Sequence, residues 1–152
     1  MENSNNSSNN NLSTEIIHKE IDLIQSCISR MANNSFLLKG WFISLIAVIL
    51  AILHEKINTN LIITIITVIT ICFWYLDAFF LRTEKLYRKL YEWVLVERPK
   101  GNNYYLYNLN PHRFNDTVPS IIKVMFSKTL FCFYFVPVIL ILIFFIIFNI
   151  LG

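Results

Sequence analysis

Three long stretches without a charged residue constrain this fold more than any other feature of the sequence. They cover residues 40–53, 61–76 and 129–152. A soluble domain carries charged side chains along its whole surface, whereas this chain confines them to the segments between the apolar stretches. The hydrophobic fraction is 55% and the mean hydropathy is +0.53, which indicates that lipid is the solvent for much of the chain. We therefore predict an all-α membrane protein with three transmembrane helices.

The predicted spans cover residues 36–53, 61–81 and 129–150, and each approaches the roughly 20 residues that a bilayer requires. The first is ~27 Å long as a helix, and we expect Lys39 near its start to reach the lipid headgroups. β-Branched residues dominate the second span, but a backbone surrounded by lipid must satisfy its own hydrogen bonds and is therefore helical. The link at residues 54–60 is short, which predicts an antiparallel hairpin. Pro137 interrupts the third span, where neighbouring helices make it tolerable.

Two segments precede the first span. Residues 1–11 contain six Asn and three Ser, a composition that predicts a disordered tail. Residues 12–34 predict an amphipathic cytoplasmic helix that ends at the polar sequence of residues 33–35. Its isoleucines recur at heptad spacing and form a seam: Ile17, Ile21, Ile24 and Ile28. The seam either packs on its own chain or mediates self-association, in which case isoleucine at both seam positions favours a trimer or tetramer.

A cytoplasmic loop is predicted for residues 82–128. The second helix is expected to continue as far as Glu97, because Pro99 and Gly101 follow it. A helix over residues 61–97 would be ~55 Å long, which exceeds a hydrocarbon core of ~30 Å, so its end is predicted to extend into the cytoplasm. Residues 120–128 resemble a short amphipathic helix suited to the plane of the interface.

The orientation follows from the distribution of basic residues. The link between the first two spans has one, Lys56, whereas residues 82–128 have nine. Because basic loops stay on the cytoplasmic side, we predict a cytoplasmic N-terminus and an external C-terminus.

No constellation of residues indicates catalysis. The chain has only three glycines, so a glycine-rich phosphate loop is excluded. No Cys or His residues have metal-ligand spacing, and the three histidines lie in three different segments. We predict that the protein is not an enzyme and has neither a metal nor a cofactor.

Asp77 is the only acidic residue within an otherwise apolar run. An ionisable group in a membrane is costly and indicates a functional site, so Asp77 could line or gate a pore. The alternative is an interfacial carboxylate that is hydrated or paired with Arg82. A stripe of threonines precedes it, at Thr64, Thr67 and Thr70, and each hydroxyl can bond its own helix or a neighbouring one.

The basic residues after the second span predict an anionic contact. They are Arg82, Lys85, Arg88 and Lys89, and they either hold anionic lipid headgroups or bind an anionic ligand. Arg113 follows a tyrosine-rich stretch that could stack on a nucleotide or on single-stranded nucleic acid.

Three sequence blocks resemble a family of small bacterial membrane proteins. They are NSFLLKGW at residues 34–41, FWYLDAFFLRTEKLYRKLYE at residues 73–92 and VMFSKTLFCFY at residues 124–134. Members of this family resemble the membrane effectors of Hailong-type anti-phage systems, which are partnered with a nucleotidyltransferase. The resemblance implies a location in the bacterial inner membrane, an oligomeric channel, a cytoplasmic partner enzyme and a nucleotide-derived ligand that holds the channel closed.

The predicted function is therefore an oligomeric membrane effector that forms or gates an ion-conducting pore. The alternative is a membrane anchor or scaffold that recruits a cytoplasmic partner through Leu86, Leu90, Trp93 and the tyrosine-rich loop. Replacement of Asp77 should leave the activity of an anchor unchanged, whereas a pore should respond to it.

Overall fold

The computed structural model describes the backbone of residues 2–52 and 59–151, and the side chains of residues 14–51, 61–140, 143 and 146. Four α-helices and one 3₁₀ helix follow one another along the chain. They are α1 (Glu2–Ile52), α2 (Thr59–Glu97), the 3₁₀ helix (Pro111–Thr117), α3 (Ile121–Met125) and α4 (Lys128–Leu151). Residues 53–58, which include most of the predicted link with Lys56, and the side chains of residues 1–13 lie outside this description.

The all-helical prediction is confirmed, because the described backbone contains helices and turns and no strand. Two helical segments are long and apolar enough to cross a membrane, Thr14–Ala51 and Leu61–Glu97. In α4, the apolar stretch with described side chains, Lys128–Leu140, is shorter than a span. The third transmembrane helix therefore stays a prediction.

The two long helices present their apolar side chains outward. Only 17% of the most apolar window of the first and 28% of that of the second is buried inside the chain. The core helix of a soluble protein is mostly buried, so these low fractions are compatible with insertion into lipid.

The chain divides into two compact units. One contains Ala32–Arg82 and Pro119–Gly152, and we call it the apolar unit. Its core joins side chains of α1, α2, α3 and α4: Phe42, Ile46, Ile62, Ile66, Ala78, Val124, Leu130 and Tyr134. Because these residues come from four helices, burial of their apolar surface fixes the helices against one another within this unit.

The other unit contains Met1–Met31 and Thr83–Val118, and we call it the polar unit. Ile24 of α1 and Leu90 and Val94 of α2 form its core. The loop after α2 turns at Gly101, whose φ of 80° lies in the left-handed region that favours glycine. This turn follows Glu97, where Pro99 and Gly101 predict the end of the helix.

Helix α1 differs from the prediction in two places. It continues through residues 33–35, where we predicted an end, and its backbone is helical from Glu2, where composition predicts disorder. Asn and Ser are only moderately poor helix formers, and each residue added to an existing helix gains a backbone hydrogen bond. At Ser35 the side chain does not compete with the backbone, because its hydroxyl donates to the Asp77 carboxylate.

Candidate functional site: a buried ion pair

A charged network lies at the centre of the apolar unit. The Asp77 side chain is 0% exposed, and Lys39 Nζ lies 2.6 Å from its Oδ2. The Tyr134 hydroxyl donates to the same oxygen at 3.1 Å, and the Ser35 hydroxyl donates to Oδ1. Lys39 also donates to Ser35 Oγ at 2.8 Å. Both oxygens of the carboxylate therefore have partners, and a single lysine balances its charge.

Three helices supply these four side chains. Ser35 and Lys39 are four residues apart on α1, which places them on the same face of that helix. Asp77 belongs to α2 and Tyr134 to α4. The network thus joins α1, α2 and α4 with polar contacts inside an apolar core.

Aromatic rings pack beside the ion pair. Phe42 packs on Tyr134 with ring centroids 4.9 Å apart, and Trp74 stacks on Tyr134 at 6.3 Å. Lys39 Nζ lies 5.9 Å from the centre of the Phe133 ring. An ion pair interacts more strongly in such an environment than in water, but either charge alone would cost several kilocalories per mole.

The structure differs from the sequence predictions for Lys39 and for the partner of Asp77. We expected Lys39 to reach the headgroups, but its side chain is only 22% exposed and pairs with Asp77. The alternative partner for Asp77 was Arg82, whose Nε instead donates to the Pro119 carbonyl at 3.0 Å. Lys39 and Asp77 are the only charged residues in the first two predicted spans, so their opposite signs could have predicted the pair.

The threonine stripe does not lie on one face. Thr64 and Thr67 are exposed and Thr70 is buried. Thr67 and Thr70 donate to the carbonyls of Ile63 and Ile66 at 2.8 and 2.7 Å, one turn back on α2. They line a cleft of about 180 Å³ beside Tyr134 and Phe135 of α4. Because these two hydroxyls are already bonded, the surface that they present is mainly that of their methyl groups.

Two of the basic residues that follow the second span pair with acids of the same helix. Arg88 pairs with Glu84, whose side chain is largely buried, at 2.6 Å, and Lys89 pairs with Glu92 at 2.7 Å on the surface of α2. Lys85 is exposed. An exposed pair such as Lys89–Glu92 contributes little to stability.

The isoleucine seam packs inside the polar unit. Ile24 is fully buried against Leu90 and Val94 of α2, and Ile21 and Ile28 pack beside it. Ile17 is partly buried. This arrangement corresponds to the interpretation in which the seam packs on its own chain, and self-association through it stays a prediction.

A second buried ion pair, which sequence reasoning missed, lies in the polar unit. Arg98 Nε and Nη2, which form one edge of the guanidinium, each donate to a Glu20 carboxylate oxygen at 2.7 Å, and Glu20 also accepts from the backbone N–H of Tyr107 at 3.0 Å. Arg98 donates further to the carbonyls of Asn102, Tyr104 and Tyr105. One arginine therefore fixes the loop after α2. The partners are 78 residues apart, so no local pattern could reveal them.

Arg113 occupies an aromatic cage in the same unit. Its guanidinium carbon lies 4.2 Å from the centre of the Trp93 ring and 4.9 and 5.0 Å from those of Tyr105 and Phe114. Its three side-chain nitrogens are buried, and none has a hydrogen-bond partner within the described part of the chain. Burial lowers the pKa of this guanidinium, and the charge of Arg98 lowers it further. Cation–π contacts are thus what holds Arg113 in place.

Among the residues with described side chains, no three His, Cys, Asp or Glu groups come close enough to share a metal ion. Comparisons with protein-family models, with curated proteins and with solved structures found no match. The family resemblance of the three sequence blocks therefore stays a prediction, and we infer the function from the site itself.

Proposed function

We propose that this chain is an integral membrane effector of the bacterial inner membrane, several copies of which form or gate an ion-conducting pore, and that the Lys39–Asp77 pair holds its closed state. The observation that supports this most is a fully buried carboxylate that pairs with a lysine between helices whose outer faces are apolar. Ionisable groups are rare in membranes because of their cost and are usually functional where they occur.

The mechanism follows from the cost of separating the two charges. While Lys39 and Asp77 are paired, their charges cancel in a dry environment. Once α1 and α2 move apart, each charge requires water or a counter-ion. A state with the pair broken is therefore stable only when water enters between the helices, and such a wet path would conduct ions.

Assembly is expected to involve more than one copy, because one chain offers few polar groups to line a path. The exposed threonines of α2, Thr64 and Thr67, lie on the surface that a neighbouring copy could cover. Because the isoleucine seam packs on its own chain, a trimer or tetramer would have to form through other surfaces. The distribution of basic residues favours a cytoplasmic N-terminus. The role in anti-phage defence, with its partner enzyme and nucleotide-derived ligand, depends on the resemblance alone.

Membrane potential tests this proposal in bacteria that express the protein alone or with its operon neighbours. Asp77→Asn and Lys39→Gln each break the pair, so both should depolarise cells more than the wild type, as read with a voltage-sensitive dye. Glu92→Gln removes an exposed carboxylate of α2 and is the matched control. If both variants reach the membrane and leave the potential at the wild-type value, the pair is not a gate.

An anchor or scaffold is the second candidate. Leu86 and Leu90 are fully buried, and Trp93 contacts Arg113, so these side chains are engaged within the chain. Tyr104 is 72% exposed and Tyr107 is 42% exposed, which leaves the tyrosine-rich loop as the surface for a partner. An anchor predicts a steady potential in every pair-breaking variant, together with loss of partner capture in Tyr104→Ala.

A further inference from the structure

Residues 119–128 form an amphipathic surface segment between the 3₁₀ helix and α4. The Ser120 hydroxyl accepts from the Lys123 N–H and begins α3. Val124 is buried in the core of the apolar unit, whereas Ile122 is 68% exposed and Phe126 is 62% exposed. Ile122 and Phe126 are four residues apart, so they project from the same side. The surface segment therefore packs one apolar side and leaves another uncovered in the chain.

Two hydrogen bonds from α2 hold the segment at its ends. Trp74 Nε1 donates to the Met125 carbonyl at 2.8 Å, and Arg82 Nε donates to the Pro119 carbonyl at 3.0 Å. Trp74 also contacts the Phe126 ring edge to face, at 5.3 Å between centroids. The exposed side chains are thus presented by a fixed backbone.

Among the described residues of the apolar unit, the charged side chains outside the ion pair are all basic. Its described residues include five charged side chains: Lys39, Asp77, Arg82, Lys123 and Lys128. The first two pair with each other, and the other three are all basic. Lys123 and Lys128 belong to the surface segment itself and are exposed. A surface with exposed apolar and basic side chains and no acidic ones is complementary to a leaflet of anionic lipids.

The apolar side of the segment is continuous with α4. The Phe126 ring lies 6.3 Å from the Phe131 ring, which stacks on Phe135 at 4.6 Å. Phe135 is itself exposed on α4. An aromatic row therefore runs from the segment along the helix that we predict as the third span.

We propose that the surface segment docks on an anionic membrane surface, with Ile122 and Phe126 among the acyl chains and Lys123 and Lys128 at the phosphate groups. This inference rests on the membrane placement in the proposed function. It also brings lipid close to the candidate gate. Trp74 contacts both Phe126 and Tyr134, and the Tyr134 hydroxyl donates to Asp77.

Nitroxide accessibility tests the docking in the full-length protein reconstituted into vesicles. The three cysteines are replaced by alanine, and a spin label is placed by Ile122→Cys. Val48→Cys, exposed in the first span, is the lipid-facing control, and Asp116→Cys, exposed in the 3₁₀ helix, is the aqueous control. Collision with oxygen reports lipid, and collision with a water-soluble nickel complex reports water.

The label at position 122 should match Val48→Cys, with oxygen favoured over nickel. A match to Asp116→Cys while Val48→Cys still reports lipid would overturn the docking and leave the membrane placement intact. A label at position 122 that is shielded from both reagents would show that protein covers the segment, which also overturns the docking. Nickel access at Val48→Cys would instead reject the membrane placement.

The binding of Lys123 and Lys128 to phosphate groups is tested by comparing phosphatidylcholine vesicles with and without phosphatidylglycerol. The anionic lipid should move the label at position 122 deeper, and Lys123→Gln with Lys128→Gln should abolish that difference. Lys19→Gln with Lys100→Gln removes the same charge elsewhere and should preserve it. A difference that survives the first pair of substitutions would exclude the two lysines as headgroup ligands.

Discussion

At the scale of single residues, every contact that Asp77 makes in the core is one that a carboxylate can accept. Lysine supplies the balancing charge, and two hydroxyls donate to the oxygens. Removal of one charged member leaves the other buried without a partner. This destabilises a protein more than replacement of both members by apolar residues does.

Asp77→Asn should therefore lower the free energy of unfolding by about 3–5 kcal/mol, because it leaves the Lys39 ammonium unbalanced. Tyr134→Phe removes one hydrogen bond to a charged group and should cost about 1.5–3 kcal/mol. Denaturation of the purified protein in detergent measures both. Tyr75→Phe, on an exposed residue of α2, is the control and should change little. Equal stability of Asp77→Asn and the wild type would contradict the account of the pair.

The two arginines of the polar unit should respond differently to substitution. Arg98→Met leaves the buried Glu20 carboxylate without its cation and should cost about 3–5 kcal/mol. Arg113→Met removes a charge that has no acceptor among the described residues and replaces it with an apolar chain of similar length. The loss is then limited to cation–π contacts, about 0.5–2 kcal/mol. Equal costs for both variants would mean that Arg113 meets an acceptor outside the described residues.

The sequence identified Asp77 as a candidate site residue but did not identify Lys39 as its partner. A lone acid in an apolar run is conspicuous, whereas a lysine near the end of a span is usually explained by the headgroups. Lys39 and Asp77 are far apart in the chain, and their contact depends on the packing of α1 on α2. Glu20 and Arg98 lie in segments with many charges, so nothing in the sequence distinguishes this pair from the exposed ones.

At the scale of elements, proline and glycine predicted the end of α2 correctly, whereas the polar residues 33–35 wrongly predicted an end within α1. Pro99 and Gly101 follow the last residue of α2, as expected, whereas the short helix predicted over residues 120–128 ends at Met125. The predicted break in α1 was wrong because the partner of Ser35 comes from α2. The heptad of isoleucines correctly indicates a buried face, but its period is the same whether the partner is another copy or the chain itself.

The two glycines with described surroundings provide a matched test of these elements. Gly40 lies inside α1, and no atom lies within 4 Å of the place that an added methyl group would occupy, so Gly40→Ala should stabilise the helix by about 0.5–1 kcal/mol. Gly101 has equal space but a φ of 80°, so Gly101→Ala should cost about 1–2 kcal/mol. Unfolding in detergent measures both substitutions. Stabilisation by Gly101→Ala would contradict the left-handed turn after α2.

At the scale of the whole molecule, the arrangement of apolar and charged surface determines what the chain can do. Two helices are long and apolar enough to cross a bilayer, and most of their apolar windows face outward. Hydropathy alone predicts these two helices. Whether the copies assemble, and whether the assembly conducts, depends on contacts between chains, which neither composition nor the contacts within one chain can determine.

Ion flux through purified protein in vesicles is the most direct test of the central claim. Asp77→Asn and Lys39→Gln should each raise flux above the wild type, because either one breaks the pair that holds the closed state. The double exchange Lys39→Asp with Asp77→Lys restores opposite charges in the same place and should return flux to the wild-type value. Single variants that conduct no more than the wild type, or a double exchange that leaks as much as they do, would contradict the account.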